Sequence, residues 1–256
     1  MFKDFFEINP NRIIKKVQLP NTSDHITIID NIYLDPEKVT WLANNFDYSG
    51  FRKNGQFKRY IGERARVSIF QDALMREMYL NSDLSLPIST FQPIDTLFTR
   101  FRMDYIDDMD ARQFVPHVDN DSIVSGVLYL SKENEFKYGG TAFYKHIPSE
   151  IYKLPYHPDK KIMGMMRDQN LDPMKKSEYV QFIKNLMYTD LDILFKYQGY
   201  TGIPESNSCW DLLYITKPKY NSLLIFPAMI FHSPVIYAPE QKIIDRLTQN
   251  LFLRVR

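Results

Sequence analysis

The sequence predicts a mainly β fold with flanking helices, an α+β chain whose antiparallel sheets pack as a sandwich or jelly roll. Three observations carry this. The second half holds many short β-branched and aromatic runs bounded by turns: "TLFTRFRMDYI", "SIVSGVLYLS", "GTAFYKH", "DLLYITKP", "NSLLIFP" and "RLTQNLFLRV". They are not interleaved with helices at βαβ spacing, which excludes a parallel doubly wound sheet. Helical periodicity is confined to an early segment and to one stretch between strands, so the helices belong outside the sheets.

Taken in order, a β-rich run from Ile26 to Ile32 leads into "LDPEKVTWLANNF", where Asp35 caps, Pro36 fits the first turn, and Val39, Leu42, Ala43 and Phe46 form one apolar face. A short helix is expected around Asp72 to Tyr79, followed by a Ser/Pro-containing loop from Asn81 to Pro93. Residues 1–95 thus read as a helical and β support region. Strands are expected over 96–146 and 210–256, with 147–209 as an insertion between them. Within it, Val180, Ile183, Met187, Leu191 and Leu194 fall at helical spacing. Its first part, "YKLPYHPDKKIMGMMRDQNLDP", reads as an ordered surface loop or a mobile flap. The helical insertion is of a size to serve as a homodimer contact.

Composition narrows the function classes. Lys and Arg number 32 against 31 Asp and Glu, a net charge of +1, and no basic, aromatic-studded groove is visible, so nucleic acid is not an expected partner. The opening "MFKDFFEINPNR" mixes charge into its apolar residues, and no stretch approaches a membrane span, so a cytoplasmic protein away from membranes is expected. One cysteine, Cys209, excludes an internal disulfide and a thiolate zinc cage. The reducing compartment that suits such a chain also keeps iron ferrous.

The segment "QFVPHVDND" places His117 and Asp119 at i and i+2, on one side of an extended chain, where both can reach one cation. Alone the pair is weak evidence and reads rather as part of a solvated loop. A third candidate, His232 in "LLIFPAMIFHSPVI", lies among apolar runs that must be buried; alone it reads as a core histidine satisfied by a hydrogen bond. Together two imidazoles and a carboxylate form the facial set that holds non-haem ferrous iron, and also accepts zinc. Arg246 opens "RLTQNLFLRV" and shares a face with Thr248 and Asn250; a buried guanidinium there needs an anionic partner, whereas Asp245 offers a surface ion pair instead. Arg254, of the same parity, is expected to stay solvated at the chain end.

These residues resemble the iron(II)- and 2-oxoglutarate-dependent oxygenase superfamily, in its prolyl-4-hydroxylase-like branch. "PHVDNDSIVSGVLYLSKENEFKYGGTAFYKH" matches in its HxD, its YL pair ending a strand and its GGT before an aromatic residue; "YNSLLIFPAMIFHSPVI" and "RLTQNLFLRV" match the segments bearing the second histidine and the co-substrate arginine. With "IDNIYLDPEKV", the likeness is closest to an uncharacterised group of that superfamily. The resemblance implies a double-stranded β-helix, a cupin-like jelly roll, with His117, Asp119 and His232 as catalytic iron ligands. It implies Arg246 as the partner of the distal carboxylate of 2-oxoglutarate, with Tyr129, Thr248 and Ser125 as further co-substrate contacts; Tyr129 reads equally as a core aromatic. Dioxygen is the oxidant, and a retained Asp119 points to hydroxylation of an unactivated C–H rather than halogenation. The substrate is a small molecule or a protein side chain; Arg100, Arg102, Tyr105, Tyr152, Tyr156 and Phe195 could line an entrance, although core or surface roles suit each of them better. Two other readings stay open: a metal-dependent cupin enzyme that does not use 2-oxoglutarate, and a non-catalytic β-sandwich that binds sugar or peptide.

Overall fold

In the chain's computed structural model, the described residues are 3–48, 52–53, 56–57, 62–67, 72–84, 87–93, 96–101, 114–132, 140–189, 200–237 and 246–255. Chain order is β1 (Ile13–Gln18), β2 (His25–Asp30), α1 (Pro36–Asn44), β3 (Arg52–Lys53), β4 (Gln56–Phe57), β5 (Glu63–Val67), α2 (Asp72–Leu80), β6 (Phe91–Pro93), β7 (Thr96–Phe101), β8 (Val124–Tyr129) and β9 (Gly140–His146). There follow α3 (Lys160–Asp168), α4 (Lys176–Met187), β10 (Tyr200–Thr201), β11 (Trp210–Ile215), β12 (Ser222–Pro227), β13 (His232–Tyr237) and β14 (Arg246–Val255).

The strands make a large sheet in the order β1-β2-β12-β8-β14-β7-β5, with β6 beside the end of β14, and a small sheet in the order β10-β13-β9-β11. Every described pairing in them is antiparallel. The mainly β, α+β reading with antiparallel sheets is therefore what the structure has. Strand alternation sorts side chains into layers. Leu128, Leu223, Ile225, Leu247, Leu251 and Phe98 leave the large sheet on its outer side and pack with Val39 and Leu42 of α1 and Leu74 and Met78 of α2. On the other side, Tyr129, Leu224 and Phe226 meet Phe143 of the small sheet. A third cluster joins the far face of the small sheet, Ala142, Tyr144 and Val235, to Ile162 and Met166 of α3 and Phe182 and Ile183 of α4.

Helix α1 forms as its sequence dictates: the Asp35 carboxylate accepts from the Lys38 N–H at 3.4 Å, Pro36 stands in the first turn, and Val39, Leu42 and Ala43 are buried. Phe46 follows the helix and meets Phe98 edge-on at 5.4 Å. The N-terminal region does more than support, because β1, β2 and β5 extend the large sheet at both edges. In the insertion, the segment read as loop or flap contains α3, started by the Asp159 side chain accepting from Ile162 N–H at 2.9 Å and held by Ile162 and Met166 at i and i+4. Its tyrosines tie it down: Tyr152 donates to Asp24 at 2.8 Å and Tyr156 to the Ile123 carbonyl at 2.9 Å. Helix α4 buries Tyr179, Phe182, Ile183 and Leu186, so its inner stripe runs one position off the expected Val180 and Met187; Leu191 and Leu194 lie outside the described residues. No helix among the described residues is long and apolar enough to cross a membrane.

Candidate metal centre

Residue 117 lies beside the start of β13, and His117 and His232 stand directly opposite each other as an antiparallel bridge. The His117 N–H donates to the His232 carbonyl at 2.8 Å and the His232 N–H to the His117 carbonyl at 2.9 Å. Their rings are thereby 4.6 Å apart between centroids. Two residues on, the Asp119 N–H donates to the Ala228 carbonyl at 2.9 Å, which places the carboxylate beside the same rings. One ligating atom from each of His117, Asp119 and His232 lies within 4.8 Å of the others. Among the described residues this is the group of histidine and acidic side chains able to hold an ion.

The rings are oriented by one device used twice. His117 Nδ1 donates to the Val115 carbonyl at 3.2 Å and His232 Nδ1 to the Ile230 carbonyl at 2.9 Å, in each case two residues earlier. A proton on Nδ1 leaves the Nε2 lone pair for a metal. His232 Nε2 is 3.4 Å from Asp119 Oδ2, and its ring rests edge-on against Phe226 at 4.6 Å. Burial, then the neighbouring His232, pushes the His117 pKa down to about 4, so this imidazole is neutral near pH 7. For Asp119, burial alone would raise the pKa, but His232, His117 and the Ser125 hydroxyl outweigh it and hold the carboxyl well below the usual range. A neutral imidazole and an ionised carboxylate are what a divalent cation requires.

The remaining expected residues line the same inner face of the large sheet. Thr248 of β14 pairs with Tyr129 of β8, and Arg246 is two residues from Thr248, so all three point inward. Arg246 is 7% exposed, with its guanidinium 5.6 Å from the centre of the Tyr129 ring. Burial pulls its pKa down, with Tyr129 opposing. Its Nε and the Thr248 hydroxyl are buried without a hydrogen-bond partner among the described residues. Such atoms cost stability unless something pairs with them. The Tyr129 hydroxyl, by contrast, bonds to Thr141 Oγ1 and Thr216 Oγ1, each at 3.0 Å.

The Ser125 hydroxyl donates to Asp119 Oδ2 at 2.5 Å, which makes it a neighbour of that candidate ligand. Arg100 does not line an entrance. It lies on the outer face, ion-paired to Glu63 at 2.8 Å and stacked 4.4 Å over Tyr48. Tyr152 and Tyr156 spend their hydroxyls on Asp24 and the Ile123 carbonyl. Arg254 is exposed, and Arg102, Tyr105, Phe195 and Asp245 lie outside the described residues. Thr141 and Thr216 were not singled out in the sequence. Thr141 stands in the GGT stretch, where a Cβ on Gly140 would sit 1.8 Å from the Thr216 carbonyl oxygen, so only glycine allows this approach. Thr216 gave no signal, because the register of β11 shifts between Leu212 and Tyr214 and defeats a parity count.

A family model matches residues 10–192, most of the chain. The chain belongs to DUF6445, a family of unknown function. The DUF6445 match includes His117, Asp119, Ser125 and Tyr129 and ends before His232, Arg246 and Thr248. No curated protein matches the chain.

Proposed function

We propose that the protein is a non-haem iron(II)- and 2-oxoglutarate-dependent dioxygenase that hydroxylates an unactivated C–H of a small molecule or a protein side chain. The observation that carries this reading is the convergence of His117, Asp119 and His232 on one point, with a buried guanidinium whose Nε lacks a partner among the described residues on the same interior surface. Topology supports it. From β7 onward, β7, β8, β12 and β14 lie side by side in the large sheet as β12-β8-β14-β7, while β13, β9 and β11 follow one another in the small one, with residue 117 bridged to His232 of β13. This strand order is the one a double-stranded β-helix would have, and it supports the reading.

The residues fit the group that this reading requires. Two imidazoles whose Nδ1 atoms are committed to backbone carbonyls, and one carboxylate, are a facial set that leaves coordination positions open. Ferrous iron held there, with 2-oxoglutarate and dioxygen, supplies the oxidation of the C–H and releases succinate and carbon dioxide. The chain's part is binding, orientation and exclusion of water. His117, Asp119 and His232 hold the ion. Arg246 and Thr248 offer donors to the distal carboxylate of 2-oxoglutarate, and a guanidinium suits a carboxylate in a dry site. Tyr129 supports that guanidinium from beneath, its hydroxyl steadied by Thr141 and Thr216. Phe143 and Phe226 keep water from the His232 side.

A metal cupin without 2-oxoglutarate would use the same three ligands, but it would not need a buried guanidinium with an open Nε; a sugar- or peptide-binding sandwich would need neither. Anaerobic titration of the purified protein with ferrous iron and then 2-oxoglutarate separates these. The proposal predicts a weak visible metal-to-ligand charge-transfer band, lost in Arg246→Met with iron binding retained. Iron binding without the band leaves the cupin, and absence of iron binding removes both enzymes.

A further inference from the structure

We propose that Ser125 is a positioning residue for the ligating carboxylate, fixing Asp119 before an ion arrives. This rests on the reading of His117, Asp119 and His232 as metal ligands. Each imidazole has its orienting bond to the carbonyl two residues before it, and these bonds lock both ring torsions. The Asp119 backbone is equally fixed, its N–H given to the Ala228 carbonyl and its own carbonyl accepting from Ser122 N–H at 3.0 Å. That leaves the carboxylate torsions. Ser125 supplies what the carbonyls supply to the rings: a short, charge-assisted O–H to O− bond at 2.5 Å.

The surroundings of Ser125 make this bond selective. It is 1% exposed on the inner face of β8, opposite Phe226 of β12 and Phe252 of β14, so its strand neighbours offer aromatic rings where a hydroxyl needs an acceptor. Alanine would pack there without an unsatisfied group, so packing alone does not call for serine. The hydroxyl and the carboxylate satisfy each other, and the ion then finds Asp119 already turned toward His232. Partners of metal ligands in this position typically contribute 10–100-fold in affinity.

The test is Mn(II) titration of the metal-free protein followed by electron paramagnetic resonance, which reads both free ion and the symmetry of the bound site. Thermal unfolding of each metal-free variant is measured first, to separate folding from binding. Ser125→Ala is expected to bind Mn(II) roughly 10–100-fold more weakly than wild type, with an altered bound spectrum. Ser125→Thr keeps the hydroxyl on a β-branched frame suited to a strand and is expected to recover most of the affinity. Ser125→Cys, a weaker donor of similar size, is expected to fall between, and it carries the comparison with wild type should the alanine variant fail to fold. Equal affinity and unchanged spectra across wild type and the folded variants overturn the proposal for Ser125. Failure of the wild type itself to bind Mn(II) overturns the metal reading on which it stands.

Discussion

The two faces of the large sheet are built from alternate residues of the same strands, yet they obey different rules. On the outer face Leu128, Leu247, Leu251 and Leu253 interlock with α1 and α2, and the polar side chain among them is satisfied: Gln249 accepts from the Tyr33 hydroxyl at 2.9 Å. On the inner face, one residue away in each case, stand Tyr129, Arg246 and Thr248, and there buried polar atoms lack partners among the described residues. Density of packing decides the first surface; on the proposed reading, the needs of a ligand decide the second. A protein tolerates the second only because the first supplies stability in excess.

This contrast can be broken by mutation. The largest effect is expected for Leu251→Ala, fully buried on the outer face, which should cost about 2–5 kcal/mol in urea unfolding and leave Mn(II) affinity of the folded protein unchanged. A loss of metal affinity would mean that the faces are coupled. Next comes acid. His117 and His146 both have pKa values pushed down to about 4 by burial, against about 6.5 in the unfolded chain. The unfolded state therefore binds more protons between these values, and the metal-free protein loses stability as pH falls from about 6.5 to about 4. For His146, 2% exposed, the loss is on the order of 2–3 kcal/mol, and His146→Leu should flatten the slope of urea midpoints between pH 7.5 and 5. Leu251→Ala, by contrast, should lower those midpoints equally at every pH. The smallest effect is expected for Arg246→Met. Removing a buried charge whose Nε is open should leave the metal-free protein as stable as wild type or more stable by about 1 kcal/mol, measured by the same unfolding curves. A destabilisation of several kcal/mol would show that Arg246 serves the fold and not a ligand.

What could be read from the chain follows the same division. Periodicity reports burial, so β7, β8, β9, β11, β12 and β14, α1 with its Asp35 cap, and α2 could be expected from the sequence, whereas the two-residue β10 inside the expected insertion could not. Strand β1 was not, because "IIKKVQ" lies at a sheet edge with its residues largely exposed and carries no burial pattern. Parity also says that Arg100 and Thr99 face opposite ways, but not which way is inward, and Arg100 proved to be outward. The three candidate ligands could be proposed because a third residue, His232, in a distant apolar run added to a His117–Asp119 spacing that is weak on its own. Ser125 and Thr216 could not be placed, since a serine hydroxyl has many acceptors within reach and a bulge in β11 erases the count that would have aligned Thr216 with Tyr129.

The reciprocal backbone bonds between His117 and His232 have a kinetic consequence. They join positions 115 residues apart, so the ion-holding arrangement exists only after a very large loop has closed. An ion cannot template the early steps of refolding at such a joint. On the proposed reading it would act as a late clasp, lengthening the lifetime of the finished molecule while leaving the speed of its formation nearly untouched.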